Sequence, residues 1–398
     1  MSEPAKKEPS WIRPLLPVLL AVLIDLLGFG IVIPLMSFYA TDYNASPQQV
    51  MLLAAVYSVA QFLFQPLWGA LSDRVGRRPV MLVSIAGTAI CLAGFAWGGS
   101  LPMLFVWRFL NGAFAANIST AQAAVADVTT PENRAKGMGL IGASFGLGFT
   151  FGPLVGGEMS RWGHSAPIAF AAVLATINFF WALFALPETR KAGPVHHERT
   201  VDPRALLRGI THPVVGLAIV LTFAVTFAFS LMETSFGLVA QVAWKLDPEQ
   251  VGRMFGLIGI VGIVIQGGLI GRMVKRFGEP ILVVVGMTLN ALGMAMLAFS
   301  AVQEEHFLRW AGCGVIALGS SLTNPSLSAL ISRGVSADEQ GIILGANQSL
   351  ASLARALAPF SGAGLVGYGV GSGFLAGALA LAGALPLAIP AVRRAGRP

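Results

Sequence analysis

The sequence predicts an all-α integral membrane protein, with twelve transmembrane helices in two pseudo-symmetric six-helix bundles. Composition is the first of three observations behind this prediction. Of the 398 residues, 55% are hydrophobic and 11% are charged, and the mean hydropathy is +0.73. Soluble domains carry about 25% charged residues. The second observation is that the apolar residues fall in runs of about 20, which is the length that crosses a hydrocarbon core of about 30 Å.

These apolar runs place the twelve spans. They are predicted at 13–38, 48–70, 79–98, 101–123, 135–159, 165–186, 212–235, 250–270, 280–300, 307–330, 341–366 and 370–391.

The third observation is a weak internal repeat, with a polar stretch between its copies. Gly69 and Gly76 align with Gly271 and Gly278 in the second copy. Duplicated halves are a common plan for secondary transporters. We therefore expect an N-terminal six-helix bundle over 1–189, a cytoplasmic central linker over 190–211, and a C-terminal six-helix bundle over 212–398. The pair His196-His197 falls in this linker, where it has no further ligands at metal-binding spacing.

The basic residues alternate from one connection to the next. Of the 26 Lys and Arg residues, 20 lie in the two termini and every second connection. The other connections contain Arg161, Lys245, Arg253 and Arg309. This is the positive-inside bias expected for an even number of spans with both termini in the cytoplasm. The bias therefore explains the net charge of +7 without nucleic acid, and predicts a multi-pass protein of the bacterial inner membrane.

The connection between spans two and three carries the strongest motif. It contains Gly69, Asp73, Arg74, Gly76, Arg77 and Arg78. Gly76 suits the positive φ that ends a helix, and Asp73 is placed to cap a turn or pair with a basic side chain. The alternative is a basic loop that reflects only the positive-inside bias. Such a loop would contain the arginines, but it would not need the glycines and Asp73 at these spacings. The string resembles the loop 2–3 signature of the major facilitator superfamily. That resemblance implies a gating loop whose Asp and Arg join the two halves in one state and release them in another.

A glycine-rich motif in span five contains Gly148, Gly152, Pro153, Gly156 and Gly157. Small residues four apart form a flat face on which a second helix packs closely, and Pro153 bends the helix. Generic helix packing would use the same spacing. The motif resembles the antiporter motif found mainly in exporters of this superfamily, and its surroundings are similar to tetracycline exporters. The resemblance implies proton-driven export.

Two charged residues lie in the middle of predicted spans. Asp25 in span one and Arg108 in span four both fall about half-way across the core when their positions are converted to helical rise. A charge at this depth needs a partner or water. We expect the two to share an aqueous cavity, with Asp25 as a proton or cation site and Arg108 tuning its pKa. A static buried ion pair is the alternative.

Other polar residues within spans are candidates for contact with substrate. They are Asn111, Gly112, Asn117, Gln122, Glu233, Asn324, Asn347, Gln348 and Arg355. We place Glu233 near the end of span seven, where it and Arg355 would pair within the second half or act in coupling. Amides also commonly join helices to one another in membranes.

These patterns together predict a secondary active transporter that exports a drug-like or amphipathic small molecule in exchange for protons. Its partners would be the substrate, protons and lipid, without nucleic acid, and we expect a monomer. No nucleotide, metal or hydrolase motif is found, so we expect neither a cofactor nor an enzyme. Spans three and nine lack the acidic residues that tetracycline exporters carry there, which favours a less charged substrate. A sugar or lipid transporter of the same fold and a non-transporting membrane receptor or assembly factor remain alternatives.

Overall fold

A computed structural model describes residues 11–190, 209–303, 305–335 and 340–395. Within these ranges the chain is helical, with turns and without strands. Most of the expected central linker (residues 191–208), including His196 and His197, lies outside the described residues. We call residues 11–190 the first half and residues 209–395 the second half.

The first half contains seven α-helices. They are α1 Leu15–Thr41, α2 Pro47–Val75, α3 Arg77–Trp97, α4 Leu101–Phe114, α5 Asn117–Val128, α6 Pro131–Met159 and α7 Ala166–Ala185, with a 3₁₀ turn at Ser160–Trp162.

Six long α-helices lie in the described part of the second half, after a helical turn at 209–211. They are α8 Gly216–Val242, α9 Pro248–Val264, α10 Ile270–Gln303, α11 His306–Arg333, α12 Gln340–Leu365 and α13 Ser372–Ala395, with a π turn at Ile265–Leu269 and a 3₁₀ turn at Val366–Tyr368.

By length and composition, nine helical stretches among the described residues could cross a bilayer. One of them, Pro248–Gln303, has 56 residues. At 1.5 Å per residue it extends about 84 Å, enough for two crossings. Its backbone leaves helical geometry at Gly278, where φ is 79°. The stretches correspond to the predicted spans except spans four and twelve. Span four is divided into two short helices, and span twelve has a shorter apolar segment, Ser372–Ala388.

The break in span four depends on a side chain from α3. The Ser84 hydroxyl donates to the Phe114 carbonyl oxygen at 2.5 Å and accepts from the Ala116 backbone N–H at 3.1 Å. A backbone polar group left unpaired in the membrane core costs several kcal/mol. Ser84 therefore stabilises the interruption between α4 and α5.

Two sequence-based placements are wrong. Glu233 was placed near the end of span seven, but α8 continues to Val242, so Glu233 lies nine residues, about 14 Å, from the helix end. Arg309 was counted with a connection, but it lies in the first turn of α11, where it is buried and its guanidinium carbon lies 5.5 Å from the Trp244 ring centre. For Glu233, the helix extends through polar residues where the hydropathy pattern fades.

The two halves contact each other mainly at one end of the bundle. We call it the far end; its connections include residues 42–46 and 243–247. The loop at Gly76 lies at the opposite, near end. Far-end contacts include a hydrogen bond of 2.8 Å from the Gln241 amide to the Thr41 hydroxyl. At the near end, α2 exposes Leu63, Leu67 and Leu71. The closest backbone approaches between the halves, Gly237 on Pro34 and Gly252 on Pro153, lie in the far-end part of the helices, so the halves diverge toward the near end.

Candidate functional site

A small polar cavity lies within the first half, between five of its spans. Its volume is about 30 Å³, room for two or three waters. It is lined by Ile24, Asp25, Gly28, Phe29, Val32, Tyr57, Thr88, Leu92, Arg108, Asn111, Ala115, Ala171 and Ala175. Its size suits water and protons, and excludes a drug-sized molecule.

Asp25 lies on the wall of this cavity, in the middle of α1, and is partly buried. Its carboxylate is not within 4 Å of the Arg108 guanidinium, so the static ion pair considered from the sequence is absent among the described residues. The Asn117 side chain lies near Asp25, although neither amide atom of Asn117 makes a hydrogen bond within 3.5 Å. Asp25 is thus an acidic group beside water-sized space, without a fixed basic partner.

Arg108 is held by aromatic rings. Its side chain is among the most buried in the protein, and its guanidinium carbon lies 4.6 Å from the Tyr57 ring centre and 5.7 Å from the Phe95 ring centre. Its Nε and Nη2 atoms have no hydrogen-bond partner within the described ranges. Gly112, one turn further along α4, lets that helix pack directly on the Tyr57 backbone, because a Cβ there would collide with the Tyr57 carbonyl oxygen. Both motif residues therefore contact Tyr57: Arg108 packs on its ring, and Gly112 packs on its backbone.

The second half brings a further acid and base close to this region. Glu233 on α8 is buried, and its Oε1 has no hydrogen-bond partner among the residues that the structure describes. Arg355 on the adjacent α12 donates to the Ser352 hydroxyl at 3.0 Å. Tyr57 is on α2, which packs against both of these helices. It therefore links the first-half cavity to the second half, a position that the sequence did not reveal.

The gating loop of the sequence motif is fixed within the first half. Arg77 is buried at the start of α3, where it contacts Asp73 at 2.5 Å and Asp127 at 2.8 Å and donates to the Ser72 hydroxyl at 2.7 Å. Arg78 donates to the Leu183 carbonyl oxygen. Gly69 has free space around it, and Arg74 is exposed.

Glu188, which the motif did not include, caps this loop. Its carboxylate accepts from the backbone N–H groups of Arg77 at 2.9 Å, Arg78 at 3.2 Å and Arg190 at 2.9 Å. Partial burial opposes ionisation, but these donors hold the pKa of Glu188 below its ordinary value. A Cβ on Gly76, whose φ is 108°, would collide with the same carboxylate. The only signal in the sequence was an acidic residue directly after span six.

The glycines of span five contact two partners. Along α6, Gly148, Gly152 and Gly156 face α1, where Cβ atoms on Gly148 and Gly152 would come within 2.8 Å of its backbone. Pro153 is buried, and its carbonyl oxygen faces Gly252 of α9 in the second half. Gly157 also faces α9 of the second half, where its Cβ would lie 3.0 Å from the Pro248 carbonyl oxygen. The motif therefore joins the first half internally through three glycines and contacts the second half through Pro153 and Gly157.

The remaining candidate amides are dispersed. Asn111 lines the cavity, whereas Gln122 on α5 is partly buried. On the second half Asn324 is exposed on α11, and Asn347 and Gln348 are partly buried on α12. The structure thus brings together Asp25, Arg108, Asn111 and Asn117, and leaves the other amides outside this cavity.

Ionic contacts close the far end. Glu249 on α9 accepts from Arg161 of the first half, with Nε at 2.9 Å and Nη2 at 2.7 Å, and also from Arg253. Among the described residues, no three His, Cys, Asp or Glu side chains group as metal ligands would. Cys91 and Cys313 are free and buried.

Comparisons with known proteins agree with this architecture. A family model described as Major Facilitator Superfamily matches residues 18–359. The class C tetracycline resistance protein of Escherichia coli is 31% identical over 356 residues, covering 87% of each chain. Multidrug resistance protein 2 of Bacillus subtilis is 28% identical over 348 residues, covering 86% of each chain. The crystal structure of the human organic anion transporter MFSD10 (TETRAN) superposes with a TM-score of 0.73 at 26% identity, over 96% of this chain and 100% of that one.

Proposed function

This chain belongs to the Major Facilitator Superfamily, as a secondary transporter related to drug efflux proteins, and we propose that it exports drug-like or amphipathic small molecules in exchange for protons. The two halves would alternate between opening at the near end and at the far end. Export would run from the cytoplasm across a bacterial inner membrane, with both termini inside and the protein acting as a monomer. The proposed division into 1–189, 190–211 and 212–398 follows the two halves.

The observation that carries this proposal is the Asp25 carboxyl on the wall of a water-sized cavity without a basic partner. An acidic residue in the middle of a span is costly and typically marks a proton or substrate pathway. Because the cavity is too small for a drug, Asp25 is better suited to a proton than to the exported molecule. Asp25 would therefore load and release the driving proton, and the substrate would bind in the larger space between the diverging halves.

The experiment is a panel of compounds tested in proteoliposomes with an imposed pH gradient and a pH dye inside. Lipophilic cations, tetracyclines and organic anions would be added in turn. We expect at least one class to cause proton flux in the wild type, and none to do so in Asp25→Asn. Asp42→Asn is the matched control, because it removes the same charge just past the end of α1, where Asp42 is exposed and pairs with His164. Proton flux undiminished in Asp25→Asn would contradict the proposal.

A second candidate is organic anion transport, and two basic groups within the spans favour it. Arg108 is buried with its Nε and Nη2 atoms unpaired among the described residues, and Arg355 is partly buried on α12, which packs against α2 of the first half. The human relative of known structure is an organic anion transporter. In the panel, flux with organic anions and none with cations would favour this candidate. Uptake without proton flux would indicate facilitated diffusion, and no uptake would favour a receptor or assembly role.

A further inference from the structure

Tyr57 occupies a position that the antiport proposal does not yet use. Its ring faces the Arg108 guanidinium at 4.6 Å on one side and the Phe29 ring at 5.7 Å on another. Phe29 lies one turn beyond Asp25 on α1. Tyr57 is buried, and it lines the same cavity as Asp25 and Arg108. Its ring therefore lies against the basic group of the cavity, and that group makes no ion pair with Asp25 among the described residues.

The packing of α2 against α4 fixes this arrangement. Gly112 brings α4 against the backbone of Tyr57, and Arg108 lies one turn before Gly112. A guanidinium placed over an aromatic face is stabilised by the ring quadrupole, most strongly where water is excluded. With two aromatic faces and no carboxylate in contact, Arg108 keeps its charge without neutralising Asp25.

The charged groups of this region come from four helices. Asp25 and Arg108, on α1 and α4 of the first half, line the cavity with Tyr57. Glu233 and Arg355 are on α8 and α12, the second-half helices that pack against α2. The helices α3, α6 and α7 present small, apolar or hydroxyl side chains to this region: Thr88, Leu92, Phe149, Ala171 and Ala175. Since α2 packs against both α8 and α12, a movement between the halves also acts on Tyr57.

We propose that Tyr57 is a positioning residue, which holds Arg108 away from Asp25 and so lets Asp25 retain its proton in this conformation. When the halves rearrange, displacement of the ring would let the guanidinium approach Asp25 and promote release of the proton. The inference rests on the proposed function, because it concerns the same proton site. It adds Tyr57 as the residue through which movement between the halves would cause proton release.

The test compares variants that keep or remove the ring. Tyr57→Phe retains the face that holds Arg108, whereas Tyr57→Leu removes it. Protonation of Asp25 is followed in the purified protein by the infrared carbonyl band that is absent in Asp25→Asn, as a function of pH. We expect Tyr57→Phe to titrate within about 0.3 of the wild-type pH midpoint. Tyr57→Leu should titrate at least about one pH unit lower, because an opposite charge at close range lowers the pKa of a carboxyl by about 1–3 units.

Two further variants keep the test decisive. In the double variant Tyr57→Leu with Arg108→Gln, the titration midpoint of Asp25 should return toward that of Arg108→Gln alone, because the guanidinium that Tyr57→Leu releases is then absent. Tyr57→Met, with a longer apolar side chain, replaces Tyr57→Leu if the latter does not fold. A midpoint unchanged in Tyr57→Leu or Tyr57→Met, or moved equally in Tyr57→Phe, would overturn the inference. The titration needs no substrate, so its result is separate from failure of the antiport proposal in proteoliposomes.

Discussion

Replacing Gly157 with alanine should shift the protein away from the conformation that is closed at the far end. Gly157 lies on α6 of the first half, facing α9 of the second. A Cβ there would lie 3.0 Å from the Pro248 carbonyl oxygen and 3.2 Å from the Gly252 Cα. Carbon atoms in ordinary contact lie about 3.5–4.0 Å apart, so the halves must separate by a few tenths of an ångström at this point.

The size of the effect follows from the cost of crowding a packed contact. Inserting a methyl group into a well-packed site costs about 1–3 kcal/mol. Here the cost applies only while the far end is closed, because the contact is between the two halves. The gain of about 1 kcal/mol from replacing glycine in a helix applies to both conformations and cancels. At 1.4 kcal/mol for each factor of ten, the ratio of closed to open protein should fall about 5- to 150-fold.

Spin labels on the two halves measure this ratio. Trp162 and Val302 lie near the far end, one on each half, and their side chains are 74% and 77% exposed. With both replaced by labelled cysteines, the distance distribution by electron double resonance should gain a longer component in Gly157→Ala. Gly146→Ala is the matched control, because it lies on the same helix with no atom within 4 Å of its Cβ position. Identical distributions in the two variants would refute the steric argument.

Two predictions concern the near-end loop, with unfolding followed by a dye that reacts with the buried thiols Cys91 and Cys313. Arg77→Met should lower the free energy of unfolding by about 1–3 kcal/mol, less than the full cost of breaking a buried ion pair because Asp73 and Asp127 remain 16% and 23% exposed. Arg13→Met, at an exposed position, is the control and should leave the stability unchanged. Equal stabilities of the two variants would contradict this prediction. Glu188→Gln should be less stable than the wild type at pH 7. Because folding lowers the pKa of Glu188, the difference in unfolding free energy should shrink as the pH falls below about 4.5. A difference that stays constant from pH 7 to pH 3 would contradict this prediction.

The hydropathy of the sequence was enough to predict a helical membrane fold, because every span must satisfy its backbone internally and face lipid. It was not enough to predict where a helix breaks or continues. The break between α4 and α5 depends on Ser84, some 30 residues earlier. The continuation of α8 past Glu233 depends on packing that protects Ser235, which is buried, and Gln241, which bonds to Thr41 of the other half. Local composition contains neither fact.

The candidate site shows a similar limit. Helical rise predicts the depth of Asp25 and Arg108, since depth depends only on distance along the chain. It does not predict the direction in which a side chain points, which depends on how neighbouring helices are rotated. Arg108 consequently faces Tyr57 and Phe95, although Asp25 was its obvious partner by charge. Glu188 was missed for the same reason, because its contact with Arg77 joins residues 111 positions apart.

The separation of Arg108 from Asp25 has a consequence for how such a transporter would couple its two processes. A permanent ion pair would hold Asp25 ionised in every conformation, and the driving proton would have no site to load. An isolated Asp25 would load a proton but would have no means of releasing it when the halves move. A cationic group held by an aromatic ring on α2, a helix that also packs on the second half, would satisfy both requirements. In this scheme the first half carries the proton site, and movement of the second half displaces the ring.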